Sequence, residues 1–161
     1  MKKILVFMAI IATAATLCVG CKSDSKKDPQ ETINNLTGGD WQGYISGYKK
    51  NGSQWDFNKE RNYVILHFER TGELNGTGRQ LEFDNEYMRE QTGYAEFSWR
   101  MTDDKIQISY SEQGWNDVYF EYNNCVIDGS QFKGDMFDYF DHKYVFELYK
   151  TTFTDWSKYG K

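Results

Sequence analysis

The chain has 161 residues, 24 acidic against 19 basic for a net charge of −5, and 17% of it is aromatic. That length suits one domain and is short for two. The acidic balance argues against a nucleic-acid or anionic-lipid surface as the partner.

At the start, Lys2 and Lys3 precede an apolar run over residues 4–17, and Val19-Gly20-Cys21 closes it. The run is too short to span a bilayer with margin and a polar segment follows at once, so residues 1–20 read as a removed leader and not as a membrane span. Residues 17–21 resemble the lipobox of bacterial lipoprotein signal peptides, with Cys18 standing where that pattern usually has leucine. The resemblance implies cleavage before Cys21, acylation of Cys21 and a membrane-anchored place in the bacterial envelope, at the periplasmic or surface face of the outer membrane. Lipidation at Cys18 is the competing choice, and it would put bulky Leu17 before the cleavage point. Lys2 and Lys3 leave with the leader and no acidic residue does, so residues 21–161 carry 17 basic and 24 acidic groups, near −7. Attachment then rests on the acyl chains, since no polybasic patch assists them. Cys125 is left without a disulfide partner, and beside Val126 and Ile127 it reads as a small buried apolar residue.

Residues 21–37 are rich in Lys, Ser, Asp, Asn and Gln, hold the single proline and lack a sustained apolar period, which predicts a flexible tether. From residue 38 the texture changes to short alternating stretches of Tyr, Phe, Trp, Val and Ile cut by Gly, Asn and Asp, the pattern of an all-β domain. Eight strands are predicted. The first covers 41–48, with Trp41, Gly43 and Ile45 on one face; the second, 62–70, with Val64, Leu66 and Phe68. The third, 74–83, holds Gly76 and Gly78, where a bulge or bend could help a barrel close. The fourth, 93–101, aligns Ala95, Phe97, Trp99 and Met101, and the fifth Ile106, Ile108 and Tyr110. Val118, Phe120 and Tyr122 mark the sixth, the seventh starts near Phe132, and the eighth, 144–150, aligns Tyr144, Phe146 and Leu148. No amphipathic helix of useful length is visible after the leader. Short connections favour sequential antiparallel neighbours, and eight such strands can close into an up-and-down barrel over 38–151, leaving 152–161 as a tail. A two-sheet sandwich is the alternative, because one sequence does not show whether the first and last strands pair.

Gly39-Asp40-Trp41 opens the first strand, and Lys150 ends the last on the parity of Phe146 and Leu148. This pairing is similar to the lipocalin and wider calycin pattern. The resemblance implies that Trp41 plugs the closed end of the barrel with the Lys150 cation over its face, a contact of about 0.5–2 kcal/mol.

Hairpin parity then separates the two ends. Connections at Thr71-Gly72, Asp103-Asp104 and Asp128-Gly129 read as tight turns on the side of both termini. The opposite connections are longer and carry Trp55 and Phe57 (49–61), Tyr87 and Met88 (84–92) and Trp115 (111–116). Trp55, Phe57, Tyr87 and Trp115 are therefore the candidate ligand-binding residues of an open mouth; the alternative is that they fold back as lids over a filled barrel. His67 and His142 have no His or Cys at metal-ligand spacing and read as surface residues. Asp135, Asp138 and Asp141 fall on both faces of a strand, and no nucleophile elbow, phosphate loop or metalloprotease motif is present. No catalytic residue, metal or cofactor is expected. Two functions follow: an anchored binding protein for a small apolar or amphipathic ligand, or a non-enzymatic module contacting another envelope protein.

Overall fold

The computed structural model describes residues 26–140, 142–153 and 155–159, without the side chains of 58–60. Cys18, Cys21 and Asp141 lie outside the described residues. Alternating apolar positions produce nine strands: β1 (Asp40–Asn51), β2 (Gln54–Arg70), β3 (Asn75–Phe83), β4 (Gln91–Met101), β5 (Lys105–Tyr110), β6 (Val118–Glu121), β7 (Val126–Ile127), β8 (Gln131–Asp138) and β9 (His142–Thr151). They form one antiparallel sheet that closes on itself. β1 pairs with β9, Trp41 opposite Lys150 and Ile45 opposite Phe146. β6 closes onto β8 through Val118 opposite Asp138 and Tyr119 opposite Phe137. A 3-10 turn at Tyr122–Asn124 interrupts the sixth stave, and β7 resumes it against Lys133 and Phe132 of β8. The result is an all-β, eight-stranded, up-and-down barrel, compatible with a lipocalin-like fold. Pairing of the first and last strands rules out the sandwich and removes both sheet edges.

The inward side chains fill the lower half of the barrel solidly. Phe132 lies 4.5 Å from Phe146, 5.3 Å from Phe120 and 6.1 Å from Phe68, ring centre to ring centre. β3 makes room for this bulk. A Cβ at Gly76 would fall 1.9 Å from the Glu69 carbonyl oxygen and 2.7 Å from the Trp99 indole, and one at Gly78 would fall 2.3 Å from the Phe97 ring. Both glycines pair across the ladder with those same aromatics, in a register that runs unbroken through them. They are sites of close approach, and of the two alternatives, bulge or bend, a bulge is absent there.

Residues 29–36, expected within the tether, form helix α1 (Pro29–Leu36). Asp28 caps it, accepting from the Gln30 and Glu31 N–H groups at 2.7 and 3.3 Å, and Pro29 occupies the first turn. Ile33 and Leu36 are wholly buried in the same core as Trp41, and the Trp41 indole N–H donates to the Leu36 carbonyl at 2.8 Å. Two apolar residues one turn apart are too faint a pattern to read, and a helix this short is held by packing and not by propensity. α1 closes the floor.

The tail also folds back. Phe153, Trp156 and Tyr159 cover an outward-facing patch of Tyr63, Ile65, Leu81 and Phe83 on β2 and β3. Asp40, itself buried, holds them: its carboxylate accepts from the Phe153 N–H at 2.8 Å and the Trp156 indole N–H at 3.2 Å.

Candidate functional site

Above the phenylalanine layer, the inward positions change from apolar to polar. The result is a cavity of ≈ 430 Å³ to which every stave contributes, at the end opposite α1. Ile45, Val118 and Met136 supply apolar surface, and Gly47 and Gly93 keep two walls open. Along the remaining wall runs a chain of hydrogen bonds. The Tyr110 hydroxyl donates to Gln80 Oε1 at 2.6 Å, Gln80 Nε2 donates to Glu82 Oε1 at 2.9 Å, and Asn62 Nδ2 donates to Glu82 Oε2 at 3.0 Å. Burial, reinforced by the Glu82 charge, pushes the Tyr110 phenol far above its ordinary pKa. It therefore stays protonated and fixes the direction of the chain: phenol to amide, amide to carboxylate.

Of the four mouth residues expected from the sequence, Trp115 lines this cavity. Its ring packs 5.0 Å from Tyr110, and a Cβ at Gly93 would lie 3.1 Å from it. Tyr87 sits in the β3–β4 turn, exposed, with the Arg89 guanidinium 5.6 Å from its ring, and is not part of the lining. Trp55 and Phe57 are not in a loop. The 49–61 segment is ladder on both arms, Lys50 opposite Trp55 and Tyr48 opposite Phe57, turned at Gly52 with φ +61°. Phe57 packs on Tyr48 at 5.5 Å and Trp55 on Phe137 at 6.2 Å, outside the cavity. Sequence reading misjudged this segment because a hairpin projecting past the barrel rim is solvated on both faces and loses the apolar alternation that marks a strand. At the floor, Lys150 Nζ lies 5.3 Å from the Trp41 ring centre.

Asn62, Gln80 and Glu82 were missed because polar side chains do not announce an interior. One signal could have found them: Gln80 and Glu82 share the parity of Gly76 and Gly78, and Asn62 that of Val64 and Leu66. The histidines, expected at the surface, are half-buried and each bonds a buried aspartate. His67 Nδ1 lies 2.8 Å from Asp40 Oδ1, and His142 Nδ1 lies 2.7 Å from Asp138 Oδ2. Although burial works against it, the Asp138 carboxyl is held below its ordinary pKa by the His142 N–H and ring and the Phe140 N–H. Neither histidine lines the mouth cavity. Among the described residues, no group of three or more His, Cys, Asp and Glu is placed to hold a metal ion, and no helix is long and apolar enough to cross a membrane. No protein-family model matches the chain, and no curated protein matches it in sequence.

Proposed function

We propose that this is a lipid-anchored protein of the bacterial envelope, lipocalin-like in descent, which captures a small amphipathic molecule at the mouth of its barrel. The cavity carries the reading: ≈ 430 Å³ lies within the 300–1,000 Å³ range of small-molecule sites, and its lining combines an apolar base with a few convergent polar groups. The solid phenylalanine layer beneath limits the ligand to the mouth. The chain also supports an orientation. Lys27, just before α1, is tied to the floor by its backbone N–H to Asn123 Oδ1 at 2.9 Å and by its ammonium to the Tyr122 and Cys125 carbonyls. An acyl chain on Cys21 would then attach beside the floor, with the mouth turned away from the anchoring membrane. Capture from the aqueous compartment follows, in preference to extraction of lipid from the bilayer below.

Two measurements test this. Cys21→Ala should abolish metabolic acyl labelling, and label retained on that variant would overturn the anchor. Native mass spectrometry should find a small co-purified mass that is lost when Trp115 and Tyr144 are both changed to charged residues. A second reading, contact with an envelope protein, is favoured by the outer-wall aromatics: Tyr119 stacks 5.8 Å from Phe137 and 5.6 Å from Tyr139, and Tyr139 and Phe140 are exposed. Pull-down from solubilised envelopes with a Tyr139→Ser, Phe140→Ser variant as control tests it.

A further inference from the structure

The end of the barrel that carries the mouth is also its most apolar end on the outside. We propose that the mouth rim docks end-on against a lipid–water interface, that of a bilayer facing the one that holds Cys21. This rests on the reading of Cys21 as the anchor and of the floor as the attached end, and adds a second surface to it.

Among the described residues, the four most exposed large apolar side chains are Tyr87 (71%), Phe140 (70%), Tyr139 (62%) and Phe57 (49%), and all four sit in mouth-end connections, with exposed Met88 beside Tyr87. The floor turns at 71–74, 102–104 and 128–130 expose one large apolar residue, Leu74. The rim tips are held out by their own backbones. In the β3–β4 turn the Asn85 side chain accepts the Tyr87 N–H at 2.9 Å and its carbonyl accepts the Met88 N–H at 3.0 Å. Met88 takes φ +50°, a conformation that glycine adopts without strain and methionine does not. In the β8–β9 turn Asp138 Oδ1 accepts the Phe140 and His142 N–H groups at 2.8 and 2.9 Å. Both turns are thus held firm while their apolar side chains stay in water, the mark of a contact surface.

The placement of the tips selects the kind of surface. In the order β6-β5-β4-β3-β2-β1-β9-β8, two staves separate the β3–β4 turn from the β8–β9 turn in either direction. Tyr87-Met88 and Tyr139-Phe140 therefore stand on opposite sides of the opening, with Phe57 on the β1–β2 hairpin between them. A broad flat surface meeting the barrel end-on reaches all three tips, whereas a body touching one side reaches one. Tyrosine, apolar in the ring and polar at the tip, suits the headgroup boundary, and the Arg89 guanidinium 5.6 Å from the Tyr87 ring suits the same level. Connections 49–61, 84–92, 111–117 and 138–143 carry nine acidic against six basic residues. Docking therefore rests on apolar insertion and gains nothing from anionic lipid.

The anchor decides which bilayer is met. Residues 21–26, fully extended, reach about 20 Å. β4, with 11 residues, rises about 25–30 Å along a barrel whose strands tilt by about 40°. The tether is too short to invert the domain and set the rim on the anchoring bilayer, and a domain lying on its side brings down only one side of the rim. The whole rim meets a membrane only in trans.

The test is vesicle capture. The acylated full chain is reconstituted into immobilised phosphatidylcholine vesicles, and protein-free fluorescent phosphatidylcholine vesicles are passed over them. Capture should depend on the protein and stay within about twofold when about a third of the free vesicles' lipid becomes phosphatidylglycerol or the salt is raised. Tyr87→Ser with Met88→Ser, and Tyr139→Ser with Phe140→Ser, should each lower capture about tenfold, because many rims share each vesicle and their losses multiply. Leu74→Ser at the floor should leave capture unchanged, and every variant must melt within a few degrees of the parent. Protein that does not stay with its own vesicles overturns the anchor and with it docking in trans. With the protein anchored, capture no greater than that of protein-free vesicles, or capture that survives both double variants, overturns the rim proposal alone. Capture that rises severalfold with phosphatidylglycerol and falls with salt also overturns it, since charge and not the apolar tips would then hold the vesicles.

Discussion

Removing the Asp40 carboxylate should release the C-terminal tail from the barrel wall. Asp40 Oδ2 accepts the Phe153 N–H at 2.8 Å, and Oδ1 accepts the Trp156 indole N–H at 3.2 Å while facing His67 Nδ1 at 2.8 Å. In Asp40→Ala, one buried donor (Trp156) and one part-buried donor (Phe153) lose a charged acceptor, and a hydrogen bond to a charged group contributes about 1.5–3 kcal/mol. The two losses do not simply add, because the tail can lift away and let water take the donors. The cost is then capped by what holds the tail down, and we expect a loss of about 2–3 kcal/mol. At about 4 °C per kcal/mol for a domain of this size, the melting temperature should fall by about 8–12 °C. Lifting the tail bares Ile65, Leu81 and Phe83, all but fully buried in the native state. Hydrogen exchange should therefore show the backbone amides of Phe153, Lys158 and Tyr159 losing protection while those of β4 and β5 keep theirs, and a hydrophobic dye should bind at temperatures well below the melt. Asp40→Asn should fall between, since its amide retains one acceptor. The reasoning fails if Asp40→Ala melts within about 2 °C of the parent and the tail amides exchange at the parental rate.

Leu36→Ala should cost about 2–5 kcal/mol, the range for emptying a buried leucine site, because Leu36 is wholly buried beneath Trp41; a urea midpoint shift near zero would mean that α1 does not close the floor. The depressed Asp138 carboxyl contributes stability that is present above the unfolded pKa of about 3.9 and is lost as pH falls through the lower folded value. The parent should thus lose stability between about pH 4 and pH 2 more steeply than Asp138→Asn, and parallel acid profiles would refute this. The Cys125 thiol is pushed up to about 12 by burial, against an opposing pull from the Lys27 ammonium. A thiol reagent at pH 8 should leave Cys125 unmodified in the native protein and label it fully in denaturant, so rapid native labelling would contradict its burial.

Strand alternation carried most of the fold into view. The inward sets of β2, β4, β5 and β9 are read directly from residues such as Val64, Leu66, Phe68 and Phe97, Trp99, Met101, because a closed barrel sorts side chains at every second position. The division into two ends was also legible from hairpin parity, and it put Trp115 at the mouth. The polar wall was not legible. Asn62, Gln80 and Glu82 look like solvent positions until closure makes their parity inward, and their hydrogen bonds join β2, β3 and β5 across the barrel.

Composition and period-two patterning thus determined by themselves that the domain is all-β, that eight staves suffice and which faces turn inward; these follow from local rules acting within one strand or one turn. Whether the first and last strands pair was decided by tertiary structure alone, through β1 against β9, because closure is a contact between chain ends that no local pattern encodes. The same holds for α1 and the tail. Ile33, Leu36 and Trp156 sit in stretches too polar to signal a core, and they are ordered only because the finished barrel offers them an apolar floor and an apolar wall to cover.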